Sequence, residues 1–160
     1  MAKLKLVPHL WFAKEAEEAA RLYASIFPDS RVDRVSTIPA DTPSGPAGTV
    51  KVVELTLFGQ PVMALEAGPH DPFNDAISLL VRCESQAEID RYWNALVESG
   101  ARPVACGWIT DKYGVRWQIA WDGVGRLMTD PDREKAARAM KVVLKQVKVD
   151  IAAIEAAARG

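Results

Sequence analysis

One order of elements is written twice along this chain, and that repeat constrains the fold more than any single motif. Residues 4–12 alternate loosely and predict a strand. Residues 13–27 predict a helix: Ala16, Ala19, Ala20, Tyr23, Ile26 and Phe27 recur at three- and four-residue spacing, and Pro28 stops it. Glu15, Glu17 and Glu18 fall in its first turns, where negative charge suits the helix dipole. Strands are predicted over 31–38, 50–58 and 61–66, the last two forming a hairpin around Phe58-Gly59-Gln60. After a polar connector, 67–75, the pattern restarts with a strand over 76–83 and a helix over 86–98. Ser85 is the predicted N-cap, Glu88 completes a capping box, and Gly100 ends the helix. Strands at 102–110 and 115–121 follow, joined by the turn 111–114. The two helices even share a fragment: Glu18, Arg21 and Tyr23 line up with Glu88, Arg91 and Trp93. Two copies of one half-size unit predict an α+β fold built by pseudo-symmetry, its modules forming a cupped mixed sheet around a small-molecule pocket.

The expected organisation is one domain over 1–160, with module one at 1–67, module two at 76–122 and a C-terminal helical extension at 130–160. A chain of 160 residues buries enough surface to fold without disulfides or a structural metal. The segment 39–49 holds three prolines and two glycines and reads as a mobile loop gating the pocket. In the extension, Asp130 caps a helix that begins at Pro131, and Ala136, Met140, Val143, Leu144 and Val147 form an apolar stripe. Asp150 caps a further short helix carrying Ile151, Ile154 and Ala158. These helices either cover the sheet of their own chain or dock on a second subunit.

Charge narrows the partners. Twenty basic and 21 acidic residues give a net charge of −1, which argues against nucleic acid or an anionic membrane. The N-terminal apolar run is too short for a signal peptide and no run approaches a membrane span, so a cytoplasmic location is expected. Cys83 and Cys106 then read as free thiols, Cys83 as core filler at a strand end.

Several phrases are recognisable together: Pro8-His9-Leu10-Trp11-Phe12, the helix through Phe27-Pro28, Gly59-Gln60-Pro61 with Met63-Ala64-Leu65, Gly68-Pro69-His70, Cys106-Gly107-Trp108, and Asp111-Lys112-Tyr113-Gly114 with Trp117-Gln118-Ile119. By these the chain resembles the PhnB-like branch of the vicinal-oxygen-chelate superfamily, which unites glyoxalases, bleomycin-resistance proteins and extradiol dioxygenases. The resemblance extends over nearly the whole chain, the terminal helices included. It implies paired βαβββ modules and usually a homodimer. Branch members often carry the label 3-demethylubiquinone-9 3-methyltransferase-like. The chain shows no glycine-rich turn between a parallel strand and a helix, and two βαβββ units leave no room for a methyltransferase fold, so the label is read as a name.

Metal-dependent members of the superfamily place His or Glu ligands on the concave face. His9 sits where the first would stand. Met63 stands where the first-module carboxylate belongs, with Glu66 three residues on and facing the other way by alternation. Ala76 opens the strand where a second histidine is implied, and Gln118 replaces the last carboxylate, a poor substitution for a divalent cation. A complete four-ligand site is therefore not expected. His9 with Glu66, or with Glu54, remains the weak metal set, and no cofactor is expected. His70 reads as a solvated connector residue.

Alternation also predicts the pocket. If His9 faces inward, so do Val7 and Trp11. The run Ile77, Leu79, Val81 packs against the second helix and turns Ala76, Ser78 and Leu80 inward. Trp117, Ile119 and Trp121 do the same for the last strand, sending Arg116, Gln118 and Ala120 inward. With Glu54, Thr56 and Met63 this makes mostly apolar walls with a few polar groups, the usual composition of a small-molecule site. His9 beside Glu54 would serve as a general base with a raised imidazole pKa. A Cys106–His9 nucleophile pair would need the two in contact. Two function classes stay open: a small-molecule binder, or a metal-dependent or metal-free lyase, isomerase or dioxygenase acting on a small organic substrate. The expected partners are a small-molecule ligand and a second copy of the chain, so sedimentation at micromolar concentration should give a dimer and not a monomer of 17.5 kDa.

Overall fold

The structure, a computed structural model, describes residues 5–69 and 71–160. Leu4, where the first strand was expected to start, and His70 lie outside the described residues. The chain divides between Asp71 and Pro72 into two compact units.

The first unit runs β1 (His9–Phe12), α1 (Ala16–Ile26), β2 (Arg31–Thr37), β3 (Lys51–Leu57) and β4 (Gln60–Glu66). Its four strands form one mixed sheet in the order β1-β4-β3-β2, with β1 parallel to β4 and the other pairs antiparallel. Joining two parallel strands requires a crossover, which α1 begins. Ala16, Ala19, Ala20, Tyr23 and Ile26 of α1 are buried, as are Leu10, Phe12, Val53, Leu55, Val62 and Ala64 on the strands, so one face of the sheet is closed. Residues 5–8 precede the strand and do not extend it as expected. The β3–β4 hairpin closes through Phe58 (φ 49°) and Gly59 (φ 75°), a two-residue turn with both φ positive whose twist matches the strands. The ring of Phe58 packs on Phe27 with centroids 5.1 Å apart, which anchors the non-glycine residue of that turn.

One expectation changes in this unit. Helix α1 starts at Ala16, after Glu15 in the left-handed region, and its first amide is capped by a residue fifty positions away: Ala16 N donates to Glu66 Oε2 at 3.1 Å. The segment 39–49 carries its own hydrogen bonds. Thr42 and Gly45 exchange a backbone pair, Gly48 N donates to Ile38 O at 2.7 Å, and Ala47 N donates to Asp41 Oδ1 at 2.9 Å. Proline and glycine here build turns within the segment read as a mobile loop.

The second unit repeats the plan: β5 (Leu79–Cys83), α2 (Gln86–Glu98), β6 (Arg102–Pro103), β7 (Trp108–Thr110) and β8 (Arg116–Trp121), in the sheet order β5-β8-β7-β6 with β5 parallel to β8. Each module is thus βαβββ with its own four-stranded mixed sheet. The strand expected over 102–110 is two short strands, because Pro103 and the positive φ of Cys106 (54°) and Gly107 (81°) fold it into a hairpin. Residues 76–78 lie outside β5, and Ile77 is 66% exposed, so it does not pack on α2. Ser85 caps α2 as expected, accepting from Glu88 N, while Glu88 reaches back to Glu84 N at 2.7 Å. Buried Asp111 accepts from Tyr113 N, Val115 N and Trp117 Nε1, each at 2.9 Å, and so fixes the β7–β8 turn and the tryptophan behind it.

The C-terminal region forms α3 (Gly123–Met128), α4 (Arg133–Val143) and α5 (Ile151–Arg159). Asp132, not Asp130, caps α4, accepting from Glu134 N and Lys135 N; Asp130 pairs with Lys135 at 2.7 Å. Asp150 caps α5 as expected. The region packs on the second module of its own chain. Cys106 N and Gly107 N donate to Gln146 O and Val147 O at 2.7 and 2.9 Å. Gln86 donates to Val149 O at 3.0 Å and accepts from Ile151 N at 2.9 Å. Lys148 pairs with Asp90 at 2.5 Å. Ala136 and Val143 of the predicted stripe are buried, whereas Leu144 and Val147 are exposed.

Gly107 sits at the crossing point of this seam. A Cβ there would meet Ile119 O at 2.6 Å and Val149 Cγ2 at 3.1 Å, on a backbone with positive φ. Gly107→Ala is expected to destabilise the protein by about 2–4 kcal/mol, read from the urea midpoint.

Candidate functional site

In each unit the face opposite the helix is the one available to a ligand. On β1, Leu10 and Phe12 are buried against the helix side, so His9 and Trp11 stand on the open face, Trp11 at 38% exposure. The register places Met63 beside His9, Leu65 beside Trp11, and Glu54 on the far side of Met63. Trp11 Nε1 donates to Gly68 O at 3.3 Å, which orients the indole. Glu54 accepts from both Nε and Nη2 of Arg34, and that contact holds the guanidinium in its charged form. His9 and Glu54 are two strands apart, about 9–10 Å. The pairing therefore does not set the carboxylate beside the imidazole as a general-base dyad needs. Thr56, also on this face, donates to Asp33 Oδ2 at 2.6 Å. Glu66 lies on the helix side, occupied with Ala16 N and 3.7 Å from Lys51 Nζ.

On the second sheet, Val81, Cys83, Ile109, Trp117 and Ile119 are buried on the helix side. Leu80, Arg116 and Gln118 take the open face, with Leu80 opposite Gln118 and Trp108 on its other flank. Gln118 Nε2 donates to Ser78 Oγ at 2.7 Å. Arg116 Nε donates to Asp75 Oδ1 at 2.5 Å and Nη1 to Gly114 O at 2.6 Å. Topology also corrects one equivalence. Met63 and Gln118 both stand four residues past the hairpin glycine, and their parallel-strand partners are His9 and Leu80. The second-module counterpart of His9 is Leu80, and Ala76 belongs to a turn ahead of the strand. Cys106 lies in the β6–β7 turn with its Sγ 3.5 Å from Leu144 O.

These donors do not fit a hard divalent cation. His9 has a thioether and an indole as neighbours on its face, Glu54 is bound by Arg34, and Glu66 faces the helix. Among the described residues no three His, Cys, Asp or Glu side chains gather as a metal-binding group.

The model of the 3-demethylubiquinone-9 3-methyltransferase family matches residues 4–120. The chain belongs to that family. Within it, this PhnB-like protein is 35% identical to a solved putative 3-demethylubiquinone-9 3-methyltransferase, PhnB protein, from Bacillus cereus, over 74% of this chain and 99% of that one, with a TM-score of 0.62. It is 25% identical to a Pseudomonas aeruginosa protein over 72% and 95% of the two chains, with a TM-score of 0.54. The manganese-bound fosfomycin resistance protein FosX of Listeria monocytogenes shares the fold at 16% identity, over 73% and 90% of the two chains, with a TM-score of 0.52. No curated protein matches. The α+β fold and the PhnB-like affiliation agree with the reading of the sequence. The family match stops at residue 120, so the helices from α3 onward lie beyond it, and the resemblance does not run to the C-terminus as expected.

Leu65 and Trp108 were not singled out from the sequence, although alternation from Met63 finds the first. Asp75 and Arg34 gave no signal, because their roles depend on cross-strand and connector geometry. The two thiols separate cleanly: burial pushes the Cys83 thiol up to about 12, with Glu88 adding to the shift. At pH 8 a thiol reagent should therefore titrate one group, Cys106, in the native PhnB-like protein and two after unfolding.

Proposed function

We propose that this protein binds a small organic molecule on an open sheet face, where the first sheet presents His9, Trp11 and Met63 and the second presents Leu80, Arg116 and Gln118 with Ser78 beside them. One observation carries the reading. In each unit the helix side is closed and apolar, while the opposite face presents large apolar groups to solvent, Trp11 at 38% and Leu80 at 51% exposure, beside a few polar ones. Apolar walls with sparse polar groups are how small-molecule sites are made, and exposed apolar surface of this kind marks binding. Binding is favoured over acid–base chemistry because Met63 separates His9 from Glu54. Methyl transfer is no part of the reading: residues 13–15, between β1 and α1, contain no glycine.

The proposal includes a homodimer, to which Leu144 and Val147 offer exposed apolar surface, and a cytosolic location. Among the described residues no helix is long and apolar enough to cross a membrane. The test is native mass spectrometry of protein purified from its own host, with His9→Ala and Gln118→Ala in parallel. The native chain should retain a small organic molecule and the variant on the face that holds it should lose it; retention by both variants would sink the reading. Both sites are on an open face, so each melting temperature should move by no more than about 2 °C. Unfolding of either variant would place that residue in the core and sink the assignment.

A further inference from the structure

The strands of the second sheet, β5 to β8, carry Arg82, Arg102 and Arg116 and no aspartate or glutamate. All three arginines share the open face. Arg102 is paired opposite Thr110, Thr110 opposite Arg116, and Arg82 opposite Ala120, which is in phase with Arg116 and Gln118. Arg116 is the most enclosed, its side chain 17% exposed against 74% for Arg82. It is fixed by its strand and by the Gly114 carbonyl. The carboxylate it meets is held quite differently. Asp75 is 80% exposed and sits on a stretch, 72–78, that is neither helix nor strand. A largely desolvated cation needs an anion, whereas a solvated carboxylate loses little by leaving.

We propose that Arg116 recognises an oxyanion of the ligand, a carboxylate or a phosphoryl group, on a face to which Arg102 and Arg82 add positive charge, and that Asp75 holds the guanidinium until the ligand displaces it. The inference rests on the reading that this face binds a small molecule. A planar guanidinium with several donors suits either group bidentately.

The test follows the Arg116 Nε–H resonance of the full chain by NMR, assigned through its loss in Arg116→Lys. Inorganic phosphate and acetate are titrated separately at constant ionic strength, with chloride as control. A saturable shift with phosphate alone assigns a phosphoryl ligand, with acetate alone a carboxylate, and with both a general oxyanion site. Asp75→Asn removes the internal competitor and should tighten the responding anion by about three- to fivefold. Shifts no larger than those of chloride, or a response that Asp75→Asn leaves unchanged, would overturn the proposal; the second criterion holds even if the Arg116 variant fails to fold. A small molecule retained equally by the native chain and by Arg116→Gln would refute the anion site and leave the binding function standing. If no molecule is retained while phosphate or acetate still titrates Arg116 saturably, the anion site stands and the broader reading fails.

Discussion

The parallel pairing of the first and last strand in each module, β1 with β4 and β5 with β8, is the constraint on which the rest depends. The other strand pairs are antiparallel neighbours that short turns can join. A parallel pair cannot be made that way, so the chain must leave the sheet and return, and its helix must lie across one face. That crossing decides which side chains are core and which remain available. Leu10 and Phe12, or Val81 and Cys83, go under the helix, and the residues between them are turned outward. The candidate site is thus a by-product of how the sheet is closed.

Much of this was legible because alternation is local. The cost of burying Arg82 and Arg116 under the helices sets the parity of Leu80 and Gln118, and the paired helix fragments announced the repeat. What escaped was either short or distant. Pro103 and Gly107 are breakers inside the run 102–110, yet an apolar stretch reads as one strand until its hairpin partner is known. Ile77 continues an apolar pattern past the point where the strand begins. Two aspartates flank Pro131, and the usual rule chose Asp130 where the amides of Glu134 and Lys135 chose Asp132. The capping of α1 by Glu66 could not be read at all, since it joins residues fifty positions apart.

The same scaffold carries two different chemistries. Cross-module counterparts follow from register: His9 and Leu80, Met63 and Gln118, Trp11 and Arg82, Pro61 and Arg116. The first open face mixes signs, with Arg34 against Glu54 and Asp33 against Thr56, while the strands of the second supply only cations. Sheet order is the same in the two halves because it depends on the buried side, which leaves the exposed side free to diverge. The two open faces thus differ in charge although the backbones that carry them repeat.

The C-terminal arm has a further consequence. Gln86 on α2 and the amides of Cys106 and Gly107 are satisfied by backbone between residues 146 and 151, which lies past the stretch shared with the family. A buried donor deprived of its acceptor costs about 1–3 kcal/mol. Trimming this chain to the length of its relatives would strip acceptors from several donors at once and remove the Val149 side chain that lies over Gly107. The appendage is a structural organ of the second module, completing hydrogen bonds that begin on α2 and in the β6–β7 turn.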